Sequence, residues 1–123
     1  MALTYTYKIK SYVNASHAMR WEDGEGKEHN HTWEVICEIG IKDEQMIVFR
    51  DIEKTIQTVL GSFSGKKLNS LPYFEEINPT VENVTIWLYK LISPKMEALS
   101  AKLTCIEVGE SPTRSFIITD VEE

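Results

Sequence analysis

From His29 to Ile41 the odd positions read His, His, Trp, Val, Cys, Ile, Ile, while the even positions include Asn30, Thr32, Glu34 and Glu38. A period of two over thirteen residues fits only an extended strand with one apolar and one largely polar face. Such a strand needs a partner strand on each free edge and a cover over its apolar side, so the rest of the chain is read for those parts.

Tyr5, Tyr7, Ile9, Tyr12 and Val13 are aromatic or β-branched and roughly alternate, which predicts a first strand that delivers Asn14 to His17 at its end. Residues 22–28, EDGEGKE, are charged and Gly-rich and predict an exposed connection. After Asp51, read as an N-cap, Ile52, Ile56, Val59, Leu60 and Phe63 recur at helical spacing. Asn78 is read as the cap of a second helix, with Pro79 in its first turn and an apolar stripe from Val81 to Ile92. Pro94 is expected to interrupt it. Leu103–Val108 and Ser115–Thr119 then predict a closing hairpin around GESPT. The order strand, strand, helix, helix, strand, strand (ββααββ) implies an α+β domain, an antiparallel four-stranded sheet with two helices on one face.

The chain has 123 residues, 42% of them hydrophobic, the size of one domain spanning 1–123. Thirteen basic against nineteen acidic residues give a net charge of −6, and neither sign forms a run, so nucleic acid is excluded as an expected partner. Cys37 and Cys105 lie far apart in apolar segments and match no disulfide or zinc-ribbon pattern, which points to reduced core thiols in a cytoplasmic protein. MALTYTYKIK has no unbroken apolar stretch and no segment reaches the length of a membrane span, so no direct membrane insertion is expected.

All three histidines, His17, His29 and His31, fall within fifteen residues. His29 and His31 share one face of the predicted strand, and His17 arrives at the end of the neighbouring one. Three neutral imidazoles can hold a zinc ion and leave its fourth position open for a water or substrate oxygen. Spacing alone leaves a second reading open, in which HNH is a polar strand entrance and His17 an unrelated loop residue.

These residues resemble the 6-pyruvoyl-tetrahydropterin synthase and 6-carboxy-tetrahydropterin synthase family, which shares the tunnelling fold. NASH, ending in His17, is similar to the segment carrying the family's first zinc histidine, and HNH at 29–31 is similar to its HGH. Leu68 and Asn69 match the end of a DHxxLN pattern. Pro79, Thr80, Glu82 and Asn83 match PTxEN, and IEVGESPTR resembles VxVxETPTR, whose glutamate, here Glu110, anchors a pterin ring.

The resemblance implies zinc on His17, His29 and His31, a pterin-like ligand bound by Glu110 and Thr80, and a homo-oligomer, trimer or hexamer, whose sheets close into a barrel with sites between subunits. A carboxylate suits that role because it accepts two parallel hydrogen bonds from the ring N–H and amino group.

The sequence also departs from the family. Glu25 stands where the synthases have a catalytic cysteine, Ser64 and Gly65 replace an Asp–His pair, and Val48 replaces an aspartate. Glutamate at the cysteine position occurs in a branch that cleaves the side chain of dihydroneopterin, so Glu25 is the candidate general base. The pattern therefore implies a divergent member, a zinc-dependent lyase acting on a dihydropterin side chain by carbon–oxygen or retro-aldol carbon–carbon cleavage. The alternative is a catalytically inactive pterin- or purine-binding module or oligomeric scaffold.

Overall fold

The computed structural model describes residues 3–41 and 45–120. Its elements are β1 (Thr6–His17), β2 (Arg20–Trp21), β3 (Gly24–Glu25), β4 (His29–Ile41), α1 (Phe49–Gly61), α2 (Val81–Glu97), β5 (Ala101–Ser111) and β6 (Arg114–Thr119). Two 3-10 turns, Leu68–Ser70 and Pro72–Phe74, lie between the helices. The main sheet is antiparallel with order β1-β4-β5-β6, leaving β1 and β6 as its edges.

Alternation sets the sheet's two faces. Ile9, Val13 and Ala15 of β1 and Trp33, Val35, Cys37 and Ile39 of β4 point inward and are buried, while most residues between them are exposed or half-buried. The helices cover the inward face: Ile52, Ile56 and Leu60 of α1 and Val84, Leu88 and Ile92 of α2 join the same core. Each such fully buried aliphatic side chain contributes roughly 1.5–3 kcal/mol. Burial pushes the Cys37 thiol up to about 12, so it is an inert core group. Cys105 is only half-buried and is not the core thiol expected from its apolar surroundings.

β5 contains two irregularities, one opposite β6 at Glu110, between Gly109 and Ser111, and one opposite β4. Cys105 pairs with Glu38 but Leu103 pairs with Ile39, so Thr104 is an extra residue opposite β4. Its hydroxyl donates to the Glu38 carbonyl at 3.1 Å. A bulge of one residue inverts which side chains face inward: Ala101 and Leu103 are buried before it, Ile106 and Val108 after it. Gly40 lies across from the bulge, where a Cβ would come within 3.0 Å of the Thr104 methyl carbon.

Three helix-end expectations are corrected. α1 starts at Phe49, with Val48 at its N-cap and no side-chain cap bond, so Asp51 lies in the first turn. The edge-to-face contact of Phe49 with Tyr7, 4.7 Å between centroids, holds this earlier start, and Asp51 there complements the helix dipole. α2 is capped by Thr80, not Asn78. The Asn78 side chain instead bonds the backbone of Arg20, accepting from its N at 3.0 Å and donating to its O at 3.3 Å. Pro94 lies inside α2 without ending it. Buried Ile92 and Met96 tie the last turn to the core on both sides of the lost hydrogen bond. The 22–28 connection also contains structure: β2 and β3 form a two-residue ribbon that turns through Glu22 and Asp23 into Gly24, whose φ is 131°. Among the described residues no helix is long and apolar enough to cross a membrane.

Candidate metal and ligand site

The register of β1 on β4 sets His17 directly opposite His29 and Ala15 opposite His31. All three histidines therefore belong to the inward face, at the end of the sheet. Their exposure differs: His17 is buried, His31 half-buried and His29 exposed.

His17 Nδ1 lies 2.7 Å from the Pro79 carbonyl oxygen. A carbonyl can only accept, so Nδ1 carries the proton and Nε2 keeps its lone pair. That lone pair faces His31 Nε2 at 3.0 Å. Trp33 stands behind both rings, edge to face at 5.1 Å from His17 and 5.6 Å from His31, and its Nε1–H is fixed on the Ala15 carbonyl at 3.0 Å. His31 titrates below its ordinary value, first because burial disfavours the charged ring and then because His17 is close. The ring is thus held in the neutral form that ligates metals.

Glu110, skipped between Gly109 and Ser111 in the pairing of β5 with β6, lies on this face. Its Oε2 lies 3.6 Å from His17 Nε2 and 3.9 Å from His31 Nε2. These three ligand atoms all lie within 4.8 Å of one another. An ion bound tetrahedrally at 2.0–2.1 Å requires donors about 3.3 Å apart, so the group needs only small side-chain adjustments to close on a metal. Donation of the remaining ring N–H to a backbone carbonyl, as His17 does to Pro79, is the usual support of a metal-bound histidine.

His29 lies outside that group. Its ring is nearly parallel to that of His31, with centroids 6.3 Å apart. It borders the same open depression of about 400 Å³, with His17, His31, Met19, Glu110 and Arg114. A second depression, of about 650 Å³, is lined by Tyr12, Asn30, Thr32, Glu34 and the Gly109–Pro112 turn, and His31 and Glu110 border it too. His31, Glu110 and Ser111 line both depressions.

The other residues singled out in the sequence are placed as follows. Glu25, on β3, is exposed and paired with Lys67 Nζ at 2.6 Å, and it is not among the three clustered ligand groups. That hydrogen bond holds its carboxyl below the ordinary carboxylate range. Thr80 accepts the Asn83 N–H at 3.1 Å and so caps α2 immediately after Pro79. Asn69 brackets the backbone of Ala18, next to His17, accepting from its N at 2.9 Å and donating to its O at 2.8 Å. Gly65 has φ 77° and donates its N–H to the Asn14 carbonyl at 2.7 Å.

Sequence reasoning missed the supporting groups: the Pro79 carbonyl, the Trp33 wall, and the amides of Asn69 and Asn78 that fix the chain leaving β1. Trp33 sits two residues beyond His31 on the inward parity, a signal that was available. The backbone acceptor leaves no trace in side-chain chemistry.

Comparison with known proteins gives a consistent placement. The family description "6-pyruvoyl tetrahydropterin synthase" matches residues 6–120. A Pyrococcus furiosus protein named dihydroneopterin monophosphate aldolase is 31% identical over 85 residues, covering 68% of this chain and 70% of that protein. The Caenorhabditis elegans 6-pyruvoyl tetrahydropterin synthase superposes with a TM-score of 0.78 at 16% identity, covering 97% of both chains. A Plasmodium vivax 6-pyruvoyltetrahydropterin synthase, solved with a catalytic glutamate changed to alanine, superposes at 0.69 with 14% identity, covering 95% of this chain and 98% of that one. The sheet with two helices on one face is thus the tunnelling fold, and the chain belongs to the 6-pyruvoyl tetrahydropterin synthase family.

Proposed function

We propose that this protein is a zinc-dependent lyase that cleaves the side chain of a dihydropterin, by the retro-aldol route. The observation that carries the reading is the approach of His17 Nε2 and His31 Nε2 to 3.0 Å, with His29 and Glu110 lining the same depression and the His17 tautomer fixed by Pro79. A donor set rich in neutral imidazole suits zinc. When bound, the ion supplies Lewis-acid polarisation of a side-chain hydroxyl.

In this reading His17, His29 and His31 are the ligands of the working site, Glu110 holds the pterin ring, and the Thr80 hydroxyl, while capping α2, still has its own proton to donate to a ligand. Cleavage removes the proton from the hydroxyl on the second side-chain carbon, which becomes an aldehyde. The bonding electrons pass to the first carbon and its adjoining C=N, and that carbon takes up a proton. Glu25, ionised beside Lys67, is the group proposed to move these protons. The name of the Pyrococcus furiosus relative supports carbon–carbon cleavage, and the Plasmodium vivax variant supports a catalytic glutamate in the family. Both depressions are open to solvent, and the β6 edge exposes Phe116 and Ile117, which supports association with further copies that wall the site; the proposed assembly is a trimer or hexamer, in the cytoplasm.

The test is incubation of zinc-loaded protein with 7,8-dihydroneopterin and with its monophosphate, followed by chromatography of the pterins. The expected result is a hydroxymethyl-dihydropterin and a released aldehyde, both lost in His17→Ala, His31→Ala and Glu25→Gln. A specific observation favours the second reading, a binding module without turnover: Glu25 is held by Lys67, and Ser64 and Gly65 stand where the family has an acid–histidine pair. Pterin binding with no product would decide for it.

A further inference from the structure

Arg20 opens β2, three positions after His17, and lies directly opposite Glu25 in the β2–β3 ribbon. The acceptors of its half-buried guanidinium are backbone carbonyls. Nη1 donates to Phe74 O and, at 3.1 Å, to Ile77 O, while Nη2 donates to Asn69 O at 3.2 Å. Hydrogen bonds from a charged donor are stronger than neutral ones, and the planar fork of arginine fixes several acceptors at once. The Arg20 backbone is held by the same segment: its N–H donates to the Asn78 side chain, which donates back to its carbonyl.

The order of these partners matters. Arg20 grips residues 77 and 78, and residue 79 supplies the carbonyl that fixes the His17 tautomer. Asn69, whose carbonyl Arg20 holds, grips the backbone of Ala18 in turn. On its other side Arg20 is the register partner of Glu25, in a ribbon too short to be stable alone. The side chains of Arg20 and Lys67 tie that ribbon to the stretch of chain between the helices.

We propose that Arg20 is a positioning residue of the site: it sets the Pro79 carbonyl against His17 and, from the same point of the backbone, places the strand that carries Glu25. It acts through those groups and not on metal or substrate itself. The metal pair and the proposed base thereby share one anchor, and a shift of that anchor disturbs both. This role rests on the metal-and-lyase reading above, and its tests include readouts that need neither metal nor turnover.

The experiment compares the wild-type chain with Arg20→Lys, Arg20→Met and Ile56→Val, a core shortening on α1 that controls for lost stability. The readouts are urea denaturation, the His17 tautomer by nitrogen-15 NMR of the metal-free protein, zinc affinity by chelator competition, and turnover of 7,8-dihydroneopterin. Wild-type His17 should show only the Nδ1–H tautomer. In both Arg20 variants the other tautomer should appear. Zinc affinity and kcat should each fall about tenfold, the low end of the 10- to 100-fold carried by partners of metal ligands, with KM little changed. Lysine should not rescue, because a single point donor cannot span the three carbonyls. Ile56→Val should lose stability and keep the wild-type tautomer, zinc affinity and kcat.

A folded Arg20 variant with the single wild-type tautomer and wild-type zinc affinity would overturn the role, and so would an Ile56→Val variant that loses as much. If neither Arg20 variant folds, the wild type decides. Its Arg20 Nη protons should exchange slowly and give separate signals, and a freely rotating guanidinium overturns the proposal. A wild type that binds no zinc or forms no product defeats the metal-and-lyase reading, and the His17 tautomer still decides the role of Arg20.

Discussion

The Nδ1–H of His17, at the end of β1, donates to the carbonyl oxygen of Pro79 at 2.7 Å, joining positions 62 residues apart. The tautomer of a buried imidazole is thus set by the backbone just before α2, and whatever holds that helix end holds the lone pair that faces His31.

Thr80 should therefore matter twice. Its hydroxyl accepts the Asn83 N–H, and Thr80→Ala should cost about 1 kcal/mol in urea denaturation through the lost cap. The loosened Pro79 carbonyl should also weaken zinc binding, by about tenfold. Thr80→Ser, which retains the oxygen, should restore both.

Trp33 is 1% exposed, donates to the Ala15 carbonyl and backs both histidine rings. Trp33→Phe removes the buried donor and part of the wall, and should destabilise by about 1–3 kcal/mol. The denaturation midpoint should fall with an unchanged slope, and zinc affinity should fall with it.

Lys67 sets the ionisation of Glu25. Since the Lys67 hydrogen bond lowers the carboxyl, Lys67→Met should raise it again, read by NMR titration of the Glu25 side chain. The sign for stability follows. A carboxyl lower in the folded than in the unfolded state stabilises above the unfolded value, 4.5 here, and that contribution is lost as pH falls through the lowered folded value. Lys67→Met should flatten this part of the stability profile. If Glu25 is the catalytic base, the acid limb of the pH–rate profile should move to higher pH.

Metal removal should lower Tm. Zinc that binds only the folded state stabilises it by about 2.7 kcal/mol at a hundredfold excess over Kd. A chelator should therefore shift the melting curve of the wild type downward and leave that of His17→Ala in place.

The sheet was legible because one buried face forces strict alternation: Trp33, Val35, Cys37 and Ile39 admit only one reading, and the same parity set His29 and His31 side by side. Parity does not choose a rotamer, so the sequence could not say that His29 would stand apart from His31 and His17. Asn78 and Thr80 are both good caps, and the backbone of Arg20, distant in sequence, took Asn78. Local signals could not decide that competition. Glu110 was found through its resemblance to a pterin-anchoring motif, but nothing in the sequence marks Thr104 as extra opposite β4 or Glu110 as the residue skipped opposite β6.

That extra residue divides β5 into two segments with separate duties. Ala101 and Leu103, before it, join the core beneath the helices, while Glu110, beyond it, stands beside His17 and His31. Thr104 works like a half-step in a spiral stair: remove it, and every tread above faces the opposite wall. A one-residue deletion there would turn Ile106 and Val108 to the far side of the sheet while leaving His17 and His31 in position. Descendants of this fold could exchange the inner and outer faces of that strand segment through a change in strand length alone.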